Sequence, residues 1–204
     1  MNTPTSPTDF QEFPKMARLS REVIITEKID GTNAQILILE DGTIMAGSRT
    51  RWITPEADNF GFATWVKANA VTLALLGPGR HFGEWWGSGI QRGYGLQKGE
   101  KRFSLFNVVR WCLHGETPQR IPTQDPRVEK YQDVLPPGVG LVPLLYRGPF
   151  AQSAWEGALD QLRTHGSAAA PGFMNPEGIV VFHTAGQVGF KKTLEKDDTP
   201  KSLA

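Results

Sequence analysis

The chain has 204 residues, a formal net charge of +1, 39% hydrophobic residues and 21% charged residues. These values are typical of a globular domain with a sizeable core, and they exclude an intrinsically disordered protein. Because the net charge is close to zero, any binding of nucleic acid has to come from a local patch.

The chain is predicted to be one domain over 1–204, with polar, flexible tails over about 1–9 and 195–204. The single cysteine, Cys112, excludes an internal disulfide, fits a reducing compartment and is expected to pack in the core. No apolar run approaches the roughly 20 residues of a membrane span, and the first residues lack the pattern of a signal peptide. A cytoplasmic protein without membrane partners is expected.

The first half of the chain is rich in strand signals. VIITEKI (23–29) and AQILILE (34–40) are β-rich runs, and EDGT predicts a tight hairpin whose return strand, TIMAGSR, ends near Arg49. Apolar residues at helical spacing predict a helix from Phe60 to Leu76, stopped by GPG at 77–79. HFGEWW and FSLFNVV are predicted as short strands, joined by the Gly-rich GSGIQRGYGLQKGE.

The second half begins with a Pro-rich passage, TPQRIPTQDPRVEKYQDVLPPG, which predicts a loop. LVPLLY predicts a strand, AQSAWEGALDQLRTHG an amphipathic helix, and EGIVVFH with QVGFKKT a hairpin around TAGQ. Strand-rich segments with two or three helices predict an α+β fold built on antiparallel sheet.

Lys28, Asp30 and Gly31 form the pattern Lys-x-Asp-Gly at the end of the first predicted strand. The pattern alone indicates little, because it arises by chance in roughly a few per cent of chains of this length. A charged surface turn explains it as well as a reactive lysine does.

Four further segments place charged groups in strand-like, aromatic surroundings. A carboxylate inside an apolar strand is costly unless it has a partner or a ligand. Singly, each could be a strand-end charge facing water, but on one shared surface the five segments would form a phosphate and metal site. The segments are GSRTRW with Arg49 and Arg51, FGEWWG with Glu84, PEGIVV with Glu177, and GFKKT with Lys191 and Lys192.

In chain order, KIDGTN, GSRTR, FGEWWG, FSLFNV, EGIVV and FKK resemble motifs I, Ia, III, IIIa, IV and V of the covalent nucleotidyltransferases, which include polynucleotide ligases and capping enzymes. KIDGTNA and SRTRW most resemble the RNA ligase 2-like group of ATP-dependent RNA ligases, many of them from phages. The resemblance runs from about Thr26 to Thr193. It implies a single ATP-grasp-like adenylation domain, here without an OB-fold, that uses ATP and Mg²⁺ or Mn²⁺.

The resemblance implies that Lys28 attacks the α-phosphate of ATP, expels pyrophosphate and carries AMP. An amine must be neutral to attack, and neighbouring cations favour this state. Lys191 resembles the lysine that contacts the α-phosphate. Lys192 is its immediate neighbour, and on a strand only one of the two can enter the site; Lys191 is the preferred candidate.

Nucleotide-binding roles are implied for four other residues. Glu84 resembles the carboxylate that binds the ribose, and Phe106, with Phe103 as the alternative, resembles the aromatic that stacks on adenine. Glu27 is expected to read the adenine amino group, as the residue before the lysine does in similar RNA ligases.

Metal binding and the later steps are assigned by the same resemblance. Glu177 resembles the ligand of the divalent metal. Arg49 and Asn33 resemble residues that act near the 5′-phosphate during transfer and sealing, and Asp30 is typical of the family.

The implied function is sealing of 5′-phosphate and 3′-hydroxyl RNA ends, or of a nicked duplex, through lysyl-AMP. The chain ends soon after the last motif, where relatives add a further domain, so an accessory protein could supply RNA binding. The alternatives are a small ATP-dependent DNA ligase, a GTP-using capping-type guanylyltransferase, and a non-catalytic nucleotide or RNA-end binding module. Two features stay open. The Gly-rich stretch, with Arg92, Lys98 and Lys101 nearby, cradles the triphosphate or tracks an RNA backbone, or it merely connects two strands. Trp85 and Trp86 either stack on bases or divide between one core and one rim residue.

Overall fold

The structure is a computed structural model. It describes residues 8, 10, 13, 15–107, 111–114, 117–120, 135–136, 138–195 and 197, with the backbone alone over 111–114 and 117–120.

The described residues form strands that are numbered here in chain order. They are β1 (Glu22–Lys28), β2 (Thr32–Ile38), β3 (Ile44–Ser48), β4 (Trp52–Ile53), β5 (Gly79–Gly87), β6 (Lys101–Leu105), β7 (Trp111–His114), β8 (Thr117–Arg120), β9 (Val139–Leu141), β10 (Leu144–Pro149), β11 (Gly178–His183) and β12 (Val188–Thr193). The helices are α1 (Phe62–Ala68), α2 (Ala70–Leu73) and α3 (Gln152–His165), with short 3₁₀ turns at Ala74–Leu76 and Gly93–Gly95.

The larger sheet has the strand order β4-β3-β2-β5-β6-β9. Its strands are antiparallel except β9, which runs parallel to β6. The apolar side chains of β2, β5 and β6, such as Ile36, Trp85 and Phe103, pack against Phe62 and Val66 of α1. One face of this sheet is therefore core, and the opposite face is left for other contacts.

The smaller sheet has the order β10-β1-β11-β12 and is antiparallel throughout. Alternation along β1 and β11 directs Ile25 and Val181 toward α3, where they pack with Leu159 and Leu162. The side chains of alternate residues, including Lys28, lie on the face away from α3.

A third apolar cluster links the two sheets. It contains Ile29 after β1, Trp86 of β5, Tyr94, Val142 and Ala170. Backbone bonds reinforce the junction: the Val142 N–H donates to the Leu105 carbonyl at 3.1 Å. The end of β1 is therefore held against the second sheet.

The α+β class is confirmed, as are the first predicted strand, the hairpin around the Asp-Gly turn, the long amphipathic helix and the final hairpin. The hairpin turn places Gly42 at φ +84°, a conformation that glycine adopts without strain.

The single helix predicted over 60–76 is wrong in detail. The helix breaks at Asn69, whose φ is −112° and whose side-chain amide donates to the Trp65 carbonyl at 2.8 Å. An asparagine that bonds to the preceding turn competes with the helical ladder. The chain continues as a short helix and a 3₁₀ turn until Gly77, where the predicted stop is confirmed.

The strand predicted for LVPLLY is two strands in different sheets, β9 and β10. Pro143 lies between them and cannot donate to a ladder, while its carbonyl accepts from the Glu27 N–H at 2.9 Å. At this proline the chain passes from one sheet to the other.

The Pro-rich passage predicted as loop contains strand β8, which pairs with β7; most of the rest of it lies outside the described residues, as do most of the predicted tails. The strand predicted for FSLFNVV ends at Leu105. The Cys112 side chain is not among the described parts of the structure, so its expected packing in the core stays a prediction.

Among the described helices, none is both long enough and apolar enough to cross a membrane.

Candidate active site

Lys28 and Glu177 are brought together by strand pairing. Lys28 ends β1 and is registered opposite Gly178, the first residue of β11. The Lys28 Nζ lies 2.6 Å from Glu177 Oε2, with the Glu177 side chain only 3% exposed and that of Lys28 22% exposed. The lysine that the sequence selects therefore has a buried carboxylate as its direct partner.

Gly31 is required by a close approach between the turn after β1 and strand β5. A Cβ on Gly31 would lie 2.5 Å from the Trp85 carbonyl oxygen, well inside contact distance. The Gly31 N–H donates to Glu84 Oε1 at 3.0 Å, and the Asn33 side-chain amide donates to Glu84 Oε2 at 3.3 Å. The glycine of Lys-x-Asp-Gly thus lets the turn bind the carboxylate of the next sheet.

Burial raises the pKa of Glu84 to about 7. The Gly31 N–H and the positive charge of Lys28 oppose the rise, whereas the negative charges of Glu177 and Asp30 add to it. Four residues predicted for the site, Lys28, Asp30, Glu84 and Glu177, are therefore close enough to act on one another electrostatically.

Asp30 is held by the Gly-rich segment. Arg92 Nε donates to Asp30 Oδ2 at 3.1 Å, and Arg92 Nη1 donates to the carbonyl and side-chain oxygens of Asn175 at 3.0 and 2.7 Å. The Asp30 N–H donates to the Tyr94 hydroxyl at 2.8 Å. The Gly-rich segment therefore braces the turn after Lys28 against the loop that carries Glu177.

Lys191 and Lys192 lie on opposite faces of the smaller sheet. Lys191 is registered with Val180, which pairs with Thr26, so its side chain shares the face of Thr26 and Lys28. Lys192 lies on the α3 side, with its Nζ 5.5 Å from the Trp155 ring centroid and 2.8 Å from Asp197 Oδ2. Only Lys191 shares a face with Lys28.

Glu27 lies on the α3 side of β1, opposite to Lys28, and is buried. Its Oε1 accepts from the Ser167 hydroxyl at 2.6 Å, and its Oε2 accepts from the N–H groups of Ala168 and Ala169 at 2.8 and 2.9 Å. Burial raises its pKa, although these hydrogen bonds oppose the rise. Both oxygens hold the loop after α3, so Glu27 anchors this loop, and the expected contact with adenine stays a prediction.

The aromatic candidates separate clearly. Phe106 follows β6 and is 41% exposed, whereas Phe103 is fully buried, so the alternative that Phe103 stacks on adenine is wrong. Trp85 and Trp86 are each 2% exposed. Both are core residues, which corrects the base-stacking interpretation as well as the division between core and rim.

Arg49 is exposed in the turn after β3. Because Ala34 pairs with Ser48, this turn lies at the end of β2 where Asn33 reaches Glu84. Arg49 is thus near one edge of the site rather than at its centre.

Three residues that support the site were not selected from the sequence: Tyr94, Ser167 and Asn175. Arg92 was noted there only as a cation in the Gly-rich stretch. Their roles come from contacts between segments far apart in the chain, such as Arg92 with Asn175. The local signal was the Arg-Gly-Tyr-Gly cluster, in which Gly93, Tyr94 and Gly95 all adopt a positive φ.

The arrangement suits chemistry at an amine. Lys28 offers a partly exposed amine that is hydrogen-bonded to Glu177, and Glu84 supplies a second buried carboxylate that accepts hydrogen bonds. Within the described residues, no three His, Cys, Asp or Glu side chains are grouped so as to hold a metal by themselves. A divalent cation would need oxygens from a ligand and from water.

A sequence model of a family described as RNA ligase matches residues 21–195. Two solved structures of mutants of the Naegleria gruberi RNA ligase with ATP and Mn share the fold, with TM-scores of 0.53 and 0.51 at 17% and 18% identity. Each match covers 87% of this chain and 51% of the other chain, so this chain spans about half the length of those ligases. None of the curated proteins matches this chain.

Proposed function

The chain belongs to the RNA ligase family, and from that premise we propose that it is an ATP-dependent RNA ligase that forms a lysyl-AMP intermediate at Lys28. The observation that carries the proposal is the 2.6 Å pair between Lys28 and the buried Glu177, with Glu84 bound to the turn that follows the lysine. A non-catalytic binding module would gain nothing from this arrangement around an amine.

In the proposed first step, Lys28 Nζ attacks the α-phosphorus of ATP. The new N–P bond forms as the P–O bond to pyrophosphate breaks, and the amine loses a proton. That proton passes to solvent, and the hydrogen bond to Glu177 Oε2 orients the amine. Transfer of this kind depends mainly on positioning and charge neutralisation.

The residues present fit a divalent cation held jointly by protein and nucleotide. Mg²⁺ commonly binds through one or two carboxylates, with phosphate oxygens and water completing its shell. Glu177 is the carboxylate that would bind Mg²⁺ or Mn²⁺ here, and the cation would neutralise phosphate charge when bound. The ATP and Mn of the solved N. gruberi ligase structures are consistent with this assignment.

The nucleotide roles are proposed from the resemblance to the family motifs. We assign Glu84 to the ribose hydroxyls, the exposed ring of Phe106 to adenine, and Lys191 to the α-phosphate. In later steps AMP passes to a 5′-phosphate, and a 3′-hydroxyl then displaces it, with Arg49 and Asn33 acting near these ends.

The proposal is tested with α-labelled ATP and Mg²⁺ or Mn²⁺, followed by a denaturing gel. We expect label on the wild-type protein, loss of label in Lys28→Ala, and no label from α-labelled GTP. The matched control is Lys98→Ala, which removes a lysine from the exposed Gly-rich segment. Absence of label with ATP would overturn the proposal, and label from GTP would identify a capping-type enzyme.

RNA is proposed as the substrate, either as free ends or in a nicked duplex. Comparison of sealing on matched RNA and DNA nicks separates this proposal from a small DNA ligase. An accessory protein that supplies RNA binding, a role in RNA repair, a phage-like origin and a cytoplasmic location stay predictions.

A further inference from the structure

The face of the larger sheet that carries Glu84 continues outward as a row of exposed aromatic rings. The register of the five adjacent strands β4, β3, β2, β5 and β6 aligns one residue from each strand, with Phe106 directly after the end of β6. In this order the aligned residues are Trp52, Gly47, Gln35, Phe82 and Phe106. Residues directly opposite one another on adjacent strands project from the same face. We call these five residues the aromatic row.

The rings of the aromatic row are accessible. Trp52 is 42% exposed, Phe82 51% and Phe106 41%, whereas the aromatic side chains on the opposite face of the same sheet are core residues. Trp52 and Phe82 are three strand spacings apart, about 14 Å, which exceeds the rise of a single nucleotide. The row therefore extends beyond a site for one base.

Arg80 is fixed in place within this surface. Its guanidinium carbon lies 5.2 Å from the Trp52 ring centroid, and its Nη1 donates to Gln35 Oε1 at 2.9 Å. The Gln35 amide in turn donates to the Ser48 carbonyl at 3.2 Å. A Cβ on Gly47 would lie 2.7 Å from Gln35 Cγ, so the glycine is what allows Gln35 to lie across β3.

The charge of this face indicates which class of ligand it binds. Arg80 in the surface, with the exposed Arg49 and Arg51 in the adjoining turn, makes this face cationic. Aromatic rings on which bases stack, combined with arginines that pair with phosphates, are the means by which proteins bind single-stranded nucleic acid without reading sequence.

We propose that the aromatic row and Arg80 bind a single-stranded segment of RNA leading away from the end that reacts at Lys28. Bases stack on Phe82 and on the Trp52–Arg80 pair, while Arg49 and Arg51 face the backbone phosphates. This inference rests on the proposed function, because it extends the same site outward from Phe106.

The test measures binding of a labelled single-stranded RNA of about 10 nucleotides, within the usual site size for such surfaces, by fluorescence anisotropy with the full chain. We expect Trp52→Ala and Phe82→Ala each to weaken binding about 5- to 100-fold, in line with the loss of one stacked base. Trp52→Phe should restore most of the affinity. Arg51→Gln should lower the slope of log affinity against log salt concentration by roughly 0.7, the value for one phosphate contact on a single strand.

Arg163→Gln is the matched control, because Arg163 is exposed on α3, on the far side of the other sheet. It should leave RNA affinity unchanged. All these variants should label with ATP at the wild-type rate, which also shows that they fold.

If Trp52→Ala binds RNA as tightly as the wild type and labels normally with ATP, this inference alone is overturned. The aromatic row would then be a candidate surface for a protein partner. Failure of the wild-type protein to label with ATP would instead overturn the proposed function. If the wild-type protein binds no single-stranded RNA, the inference also fails, whatever its labelling.

Discussion

Glu84 shows how burial sets the charge of a single group. Its pKa is about 7 in the folded protein, against 4.5 for an ordinary glutamate. Between these pH values the folded protein keeps a proton that the unfolded chain releases. Folding stability should therefore fall as pH rises from about 4.5 to about 7 and stay level above that, by on the order of 3 kcal/mol.

Glu84→Gln removes this titration while keeping an oxygen that can accept from Gly31. The wild type should lose stability from pH 5 to pH 8 because Glu84 releases its proton over this range, whereas Glu84→Gln has no such proton to lose. The free energy of unfolding of the variant, relative to that of the wild type, should therefore be higher at pH 8 than at pH 5. Denaturant unfolding at both pH values measures the difference, and the other titrating groups cancel in the comparison. If the difference in unfolding free energy between the two proteins were the same at pH 5 and at pH 8, the raised pKa of Glu84 would be contradicted.

The adjacent lysines of β12 offer a second comparison at the level of single residues. Lys191 shares the face of Lys28, whereas Lys192 contacts Asp197 and Trp155 on the other face. We expect Lys191→Ala to lower the rate of labelling by ATP about 100-fold or more, the usual effect of removing one charge-stabilising donor.

Lys192→Ala is the matched control. It should stay within about threefold of the wild-type rate, because it removes a largely exposed ion pair worth less than about 1 kcal/mol. Single-turnover labelling of both variants is the measurement. If Lys192→Ala lowers the labelling rate more than Lys191→Ala does, then Lys192, not Lys191, lies on the face of Lys28.

At this scale, the sequence was enough to select residues that the structure brings together around Lys28, but not the residues that support them. Lys28, Glu84 and Glu177 stand out because charged groups in apolar strands need a reason. Ser167 carries no such signal, since its role depends on the loop after α3 meeting the buried Glu27. Likewise, the sequence could not show that Glu27 faces away from Lys28 until the strand boundaries and the α3 contacts were known.

At the level of elements, Arg92 ties three segments together: the Gly-rich connection, the turn after β1 and the loop before β11. We predict that it is a positioning residue for the pair of Lys28 and Glu177. Arg92→Ala should lower kcat for self-adenylation about 10- to 100-fold, because small displacements of reacting groups are costly. The KM for ATP should change little, since Arg92 is not assigned to the nucleotide.

Two further variants make the Arg92 test specific. Arg92→Lys should recover only part of kcat, because an ammonium cannot bond both Asp30 and Asn175 in the geometry of a guanidinium. Arg102→Ala, which removes an exposed pair with Glu100 just beyond the same segment, should leave kcat unchanged. A rise in KM with kcat preserved would instead place Arg92 in nucleotide binding.

Elements with a clear period were predictable, and their interruptions were not. The β-rich run of β1, the alternation of β2 and the apolar stripe of α3 identify them directly. The break at Asn69 depends on a side-chain bond to Trp65 in the preceding turn, and the split of LVPLLY at Pro143 depends on a contact with Glu27, which is distant in the chain. A proline in a strand pattern was the available warning at the second position.

For the whole molecule, the important feature is that the site is divided between two sheets. Lys28, Glu177 and Lys191 belong to the smaller sheet, and Glu84, Asn33 and Phe106 to the larger one. The cluster of Ile29, Trp86 and Val142 packs at their junction. A nucleotide bound to both sets would therefore stabilise the junction as well as the separate sheets.

This division predicts the thermal behaviour of the described fold. On the proposed mechanism Lys28→Ala binds ATP without reacting, so ATP with Mg²⁺ at about 100 times Kd should add about 2.7 kcal/mol of stability to this variant. For a domain of this size that corresponds to a rise in Tm of roughly 5–10 °C. Because the ligand spans both sheets, calorimetry should show one transition that moves as a unit. Two transitions, of which ATP shifts only one, would mean that the sheets unfold independently and that the nucleotide binds to a single sheet.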